Sequence, residues 1–151
     1  GLAMLYQDRG NLPAAHRFHL RALRGAARGG LRPERATALH DLFAVAVEAG
    51  RTGEAERFAR DAFAAYPPAH PRLPDLAHDI AYFWMEQGQF ERALPLFQAV
   101  LPLVRDAEKR LWVEADLVRA AAGAGDYELS HETMQRVRHR CAEPAMAAAV
   151  A

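Results

Sequence analysis

Between Asp75 and Val104 the apolar residues fall at helical spacing. Ala77, Ile80, Ala81 and Trp84 recur at intervals that place them on one face of a helix. Phe90, Ala93, Leu94, Phe97 and Val100 do the same for a second helix. Gly88 stands between them, where glycine adopts the left-handed conformation that stops a helix at little cost. The stretch predicts an antiparallel helix–turn–helix hairpin.

The pattern repeats. Aligning the chain on Gly10, Gly50, Gly88 and Gly125 gives spacings of 40, 38 and 37 residues. Eight positions before each glycine stand Leu2, Leu42, Ile80 and Leu117. Two positions after come Leu12, Thr52, Phe90 and Tyr127. Five after come the small residues Ala15, Ala55, Ala93 and Ser130, which let paired helix axes approach closely; twelve after come Ala22, Ala62, Val100 and Val137.

This register predicts one all-α domain over 1–151, built from about four antiparallel helix–turn–helix units at about 1–30, 31–68, 71–104 and 105–142. The first unit has only the end of its first helix, followed by a second helix from Leu12 to Arg28. Pro13 suits that helix's first turn, where its missing N–H costs little. Helices are expected from Pro33 to about Ala49 and from Arg51 to Tyr66. Pro67, Pro68 and Pro71 are expected to enforce a stiff, extended connection. The last unit runs from about Asp106 to Ala124, turns at Gly125 and continues to about Arg140. Pro144 is expected to end it, leaving 143–151 as a tail or short capping helix. No stretch shows period-two alternation bounded by turn residues, so no sheet is expected.

These positions resemble the tetratricopeptide repeat, a helix–turn–helix unit of about 34 residues with small and large apolar residues at fixed places. The resemblance rests on Leu42, Phe43, Ala46, Gly50, Ala55, Ala62 and Pro67. It continues in Ile80, Ala81, Trp84, Gly88, Phe90, Ala93 and Phe97, and in Leu117, Val118, Gly125, Tyr127 and Val137. The chain departs from the pattern in its longer period and in Leu39, Ala77 and Glu114, which replace an early tryptophan. Such divergent repeats resemble those of bacterial regulatory and adaptor proteins. The resemblance implies an α-solenoid, a right-handed superhelix whose concave wall, lined by the first helices, holds a protein or peptide segment.

On that register the wall would carry His40, Asp41, Ala44, Val47 and Glu48 from the second unit. The third would supply His78, Asp79, Tyr82, Met85 and Glu86, and the fourth Ala115, Asp116, Arg119, Ala122 and Gly123, with Trp112 flanking. From the first unit, Met4, Gln7 and Asp8 remain. Apolar and aromatic anchors among polar groups are what a binding surface needs. Tyr82, Met85 and Trp112 are the expected anchors, with Asp41, Asp79, Asp116 and Arg119 fixing orientation.

The doublets His40-Asp41 and His78-Asp79 also suggest a metal-dependent hydrolase, a remote alternative. Neighbouring helical residues diverge by about 100°, so one doublet cannot chelate alone. Their separation equals the repeat, and duplication explains them. His16 and His19 lack a carboxylate or cysteine between Asp8 and Glu34, and Cys141 lacks a paired base. Gly25, Gly29 and Gly30 are followed by no Lys-Ser/Thr and form no phosphate loop. Neither a catalytic role nor a cofactor or metal is expected.

Charge changes the picture in one place. The formal net charge is +0, which gives no bulk attraction to nucleic acid or an anionic membrane. Yet Arg17, Arg21, Arg24 and Arg28 form a stripe down one helix face in a segment without acidic residues. It is a solvated face or a docking surface for an acidic partner, such as the rest of a parent chain. With only Phe18 close by for stacking, nucleic acid is disfavoured.

The single cysteine excludes an internal disulfide framework. No apolar run approaches the ~20 residues of a membrane-spanning helix. The chain opens at Gly1 without an initiator Met or a signal peptide, which suggests a cytoplasmic protein excised from a longer chain. Because Lys109 is the only lysine and Ala and Pro are abundant, a GC-rich bacterial source is expected. A second reading is therefore the sensor or effector part of a bacterial transcription regulator whose DNA-binding domain lies elsewhere.

Overall fold

The computed structural model describes residues 10–150, with side chains through 142. Met4, Gln7 and Asp8, expected on the wall, and Leu2 of the repeat register lie outside the described residues. Among the described residues seven α-helices follow one another: α1 (Leu12–Arg28), α2 (Arg32–Glu48), α3 (Thr52–Ala65), α4 (Leu73–Glu86), α5 (Phe90–Val100), α6 (Ala107–Gly123) and α7 (Tyr127–Val150). A short 3-10 turn, Leu101–Leu103, follows α5, and no strand occurs among the described residues. The fold is all-α and made of helical repeats.

Three glycines of the sequence register, Gly50, Gly88 and Gly125, each end a helix. Gly10, Gly50, Gly88 and Gly125 have φ of 70°, 67°, 71° and 80°. At the last three the same capping bonds recur: the residue after the glycine donates its N–H to a carbonyl five residues back, as Arg51 to Ala46, Gln89 to Trp84 and Asp126 to Ala121. This is the Schellman arrangement, which satisfies carbonyls that would otherwise be left open. Gly30, with φ 65°, closes α1 in the same way through Leu31 N–H to Ala26. At helix starts, Asn11 and Asp106 accept from the N–H groups of Ala14 and Lys109.

The chain divides into two compact units, Gly1–Leu76 and Ala77–Ala151, and the division falls within α4. In the N-terminal unit α2 packs against both α1 and α3. Its buried residues, including Leu39, Leu42, Phe43, Val45 and Ala46, therefore wrap around the helix. In the C-terminal unit α6 packs against both α5 and α7, burying Val113, Leu117, Ala120 and Ala121. The small residues expected to let axes approach do so: Ala15, Ala55 and Ala93 are each 0% exposed and Ser130 is 7% exposed.

Two expectations require correction. Pro67, Pro68 and Pro71 give two successive turns, closed by His70 N–H to Pro67 and Leu73 N–H to His70. Pro68 and Pro71 each hold the second place of a turn, where the fixed φ of proline is already suitable. Pro144, expected to end the last helix, lies within α7. A proline forfeits its own N–H bond, and the alanine-rich tail beyond it favours continued helix enough to pass that point. The tail thus extends α7 and is not a separate capping element.

Candidate functional site

The candidate site lies in the C-terminal unit, where α4 and α6 present one polar row each. His78, Tyr82 and Glu86 recur four residues apart on α4, and Trp112, Asp116 and Arg119 share a face of α6. The two rows are bonded together. His78 Nε2 donates to Asp116 Oδ2 at 3.1 Å, and its Nδ1 lies 3.6 Å from Asp79 Oδ1. Arg119 Nη2 donates to Glu86 Oε1 at 3.1 Å, and its Nη1 stands 3.5 Å from Asp116 Oδ1. Arg119 also shares a side-chain hydrogen bond with Tyr82. The result is a charged ladder from one first helix of the repeat to the next.

The electrostatics follow from this placement. The hydrogen bond to Asp116, then that to Asp79, raises the His78 pKa to about 9, against the opposing effect of burial. His78 is therefore a cation at neutral pH, braced edge-on against the buried Phe97 ring at 5.6 Å. Beside the ladder two aromatic side chains are open to solvent: Tyr82 is 42% exposed and Trp112 65% exposed. Asp79 and Arg119 are exposed as well, whereas Asp116 is largely covered.

Two of the expected wall residues are not on a surface. Met85 is 3% exposed and His40 is 5% exposed, so neither can meet a partner directly. Both lie within helices buried on more than one side, and a one-position rotation of the register turns such a residue inward. The His40 ring sits edge-on to Tyr66 at 6.3 Å and tilted against Phe43.

In the N-terminal unit Asp41 pairs with His19 Nδ1 at 3.3 Å, and Val47 is exposed. His16 is half-buried; burial, then the charge of Arg51, lowers its pKa, and Arg51 Nη2 donates to its Nδ1 at 3.3 Å. Each His-Asp doublet is thus engaged within its own unit. Among the described residues no group of three or more His, Cys, Asp or Glu side chains could hold a metal ion. Arg17, Arg21, Arg24 and Arg28 are all exposed, and none has an acidic partner among the described residues. Arg28 Nε instead donates to the Arg24 carbonyl.

Sequence reasoning missed the contacts that join one helix to the next. The buried Glu114 accepts both of its bonds, at 2.7 and 2.9 Å, from Arg140, and Arg119 reaches Glu86. The first had a signal in the sequence: an acidic residue at a position otherwise apolar, opposite the basic run Arg136–Arg140.

Paired antiparallel helices repeated at a fixed interval define a helical repeat protein. Residues 1–67 match the tetratricopeptide repeat family, and the chain as a whole has a tetratricopeptide-like helical repeat fold. It is similar to the crystal structure of BtubC (BKLC) from P. vanneervenii, with a TM-score of 0.85 and 19% identity, covering 95% of this chain and 62% of that one. The chain thus spans less than two thirds of that protein. It is also similar to a Podosopora anserina putative kinesin light chain with nearly identical TPR-like repeats, with a TM-score of 0.83 and 23% identity, covering 94% of this chain and 72% of that one. A single-substitution form of that protein gives a TM-score of 0.82 at 24% identity over the same shares. No curated protein matches the sequence. At these identities the structural likeness speaks for the fold. No helix among the described residues is long and apolar enough to cross a membrane.

Proposed function

We propose that this chain is a non-catalytic scaffold of the cytoplasm that binds a protein or peptide segment on the face carrying the α4–α6 ladder. Repeats of this family generally mediate protein–protein interactions. The observation that carries the reading is the pairing of two exposed aromatics, Tyr82 and Trp112, with an ordered charged network between them. Exposed aromatic anchors supply contact area at low entropic cost, and fixed charges set the register of the bound segment. The ladder charges are already held in place by one another, so binding need not order them.

The test is a pull-down from a source lysate with the wild type and the Tyr82→Ala, Trp112→Ala double variant. Both side chains are exposed, so the variant keeps its fold, which circular dichroism checks. A protein retained by the wild type and lost by the variant is the expected outcome. Equal retention by both would place the binding face elsewhere.

A further inference from the structure

We propose that a basic cleft at the α6–α7 side of the C-terminal unit is a second docking site, for an acidic peptide segment. The cleft has a volume of about 750 Å³ and receives Arg105, Arg110, Arg136 and Arg140. Among the described residues one carboxylate, Glu114, reaches it alongside these four guanidiniums. Glu114 is 4% exposed and is already engaged: Arg140 Nη2 holds both of its oxygens and Arg110 Nε stands 3.6 Å away.

That arrangement orients guanidiniums without using them up. Among the described residues Arg140 bonds Glu114 through Nη2 alone, and its Nη1 and Nε hydrogens can meet a second acceptor. Arg136 donates to Thr133 Oγ1 at 3.0 Å, and Arg105 has no carboxylate partner among the described residues. Because the chain's formal net charge is +0, this concentration of like charge is local, and it weakens the fold unless an anion meets it. Planar, pre-oriented guanidiniums select carboxylates through paired hydrogen bonds.

The floor decides the class of partner. Leu101, Ala107 and the partly exposed Leu111 line the same cleft. These aliphatic groups suit one apolar side chain between acidic ones; stacked bases would need aromatic platforms. The ladder face offers exposed carboxylates and aromatics, so the two sites favour segments of different charge.

The experiment is isothermal titration calorimetry on the full chain with the capped peptide Asp-Glu-Leu-Asp-Glu-Leu-Asp-Glu. Arg105→Gln with Arg136→Gln removes two guanidiniums that hold no carboxylate, leaving the Glu114–Arg140 pair intact. The expected result is binding by the wild type that weakens about tenfold or more in this variant and falls with added salt. Tyr82→Ala with Trp112→Ala should bind this peptide as the wild type does. Three outcomes overturn the proposal: no binding by the wild type, equal binding by the Arg variant, or loss in the Tyr82, Trp112 variant. Inorganic phosphate competing at equal affinity would overturn the peptide reading as well. Because this peptide and the lysate partner are scored on different variants, each proposal can fail without the other.

Discussion

His78 joins two helices through its charge, and that charge has a pH window. Its pKa is raised to about 9 from 6.5, chiefly by the Asp116 bond, so between these values the folded chain holds a proton that the unfolded chain has released. Stability from this group is therefore complete below pH 6.5 and is lost as pH rises through 9. The loss should be roughly 2 kcal/mol once partial exposure is allowed for. Urea unfolding at about pH 6 and about pH 9.5 would show it, and Asp116→Asn should flatten the difference. A pH-independent midpoint would contradict this account. At Gly123 a different constraint acts, because an added Cβ would fall 2.4 Å from Phe90 Cδ1. The ring belongs to the start of α5 and cannot yield freely. Gly123→Ala gains about 1 kcal/mol of helix propensity yet should still destabilise by roughly 1 kcal/mol through overpacking. Thermal melts and a double-mutant cycle with Phe90→Leu measure that clash.

Helix boundaries are largely legible in the sequence, because they depend on a few residues with local physics. Gly50, Gly88 and Gly125 set the register and each occupies the left-handed position that ends a helix. Pro144 does not follow its local rule, because a proline's effect depends on the strength of the helix around it. In the same way Pro95 lies inside α5 without ending it, and Pro102 stands in the 3-10 turn that follows. Glycines of the two kinds should respond oppositely. Gly88→Ala forces a Cβ into φ 71° and should cost about 1 kcal/mol. Gly25→Ala, inside α1 with nothing within 4 Å of the new Cβ, should gain about 0.5–1 kcal/mol. Chemical denaturation of both variants tests the pair, and changes of the same sign would refute the distinction.

What the sequence could not convey was which polar residues meet, since that depends on the placement of successive repeats. His19 finds Asp41 from the next helix although its own segment holds no acid. Met85 and His40 stand at surface positions of the repeat register, yet both are covered in the folded chain. In repeat proteins such contacts make stability a sum of local terms, so damage to one unit should stay there. The Glu114–Arg140 pair offers the sharpest test. Arg140→Met would leave a carboxylate that is 4% exposed with only Arg110 at 3.6 Å. Such a half-broken buried pair costs about 3–5 kcal/mol, reduced here to roughly 2–3 kcal/mol because Arg140 itself is partly exposed. Hydrogen exchange should show amides of α6 and α7 losing protection while those of α2 and α3 keep theirs. Adding Glu114→Leu, which removes the stranded charge, should restore much of that protection. Uniform loss along the chain would mean that the two units unfold as one cooperative body.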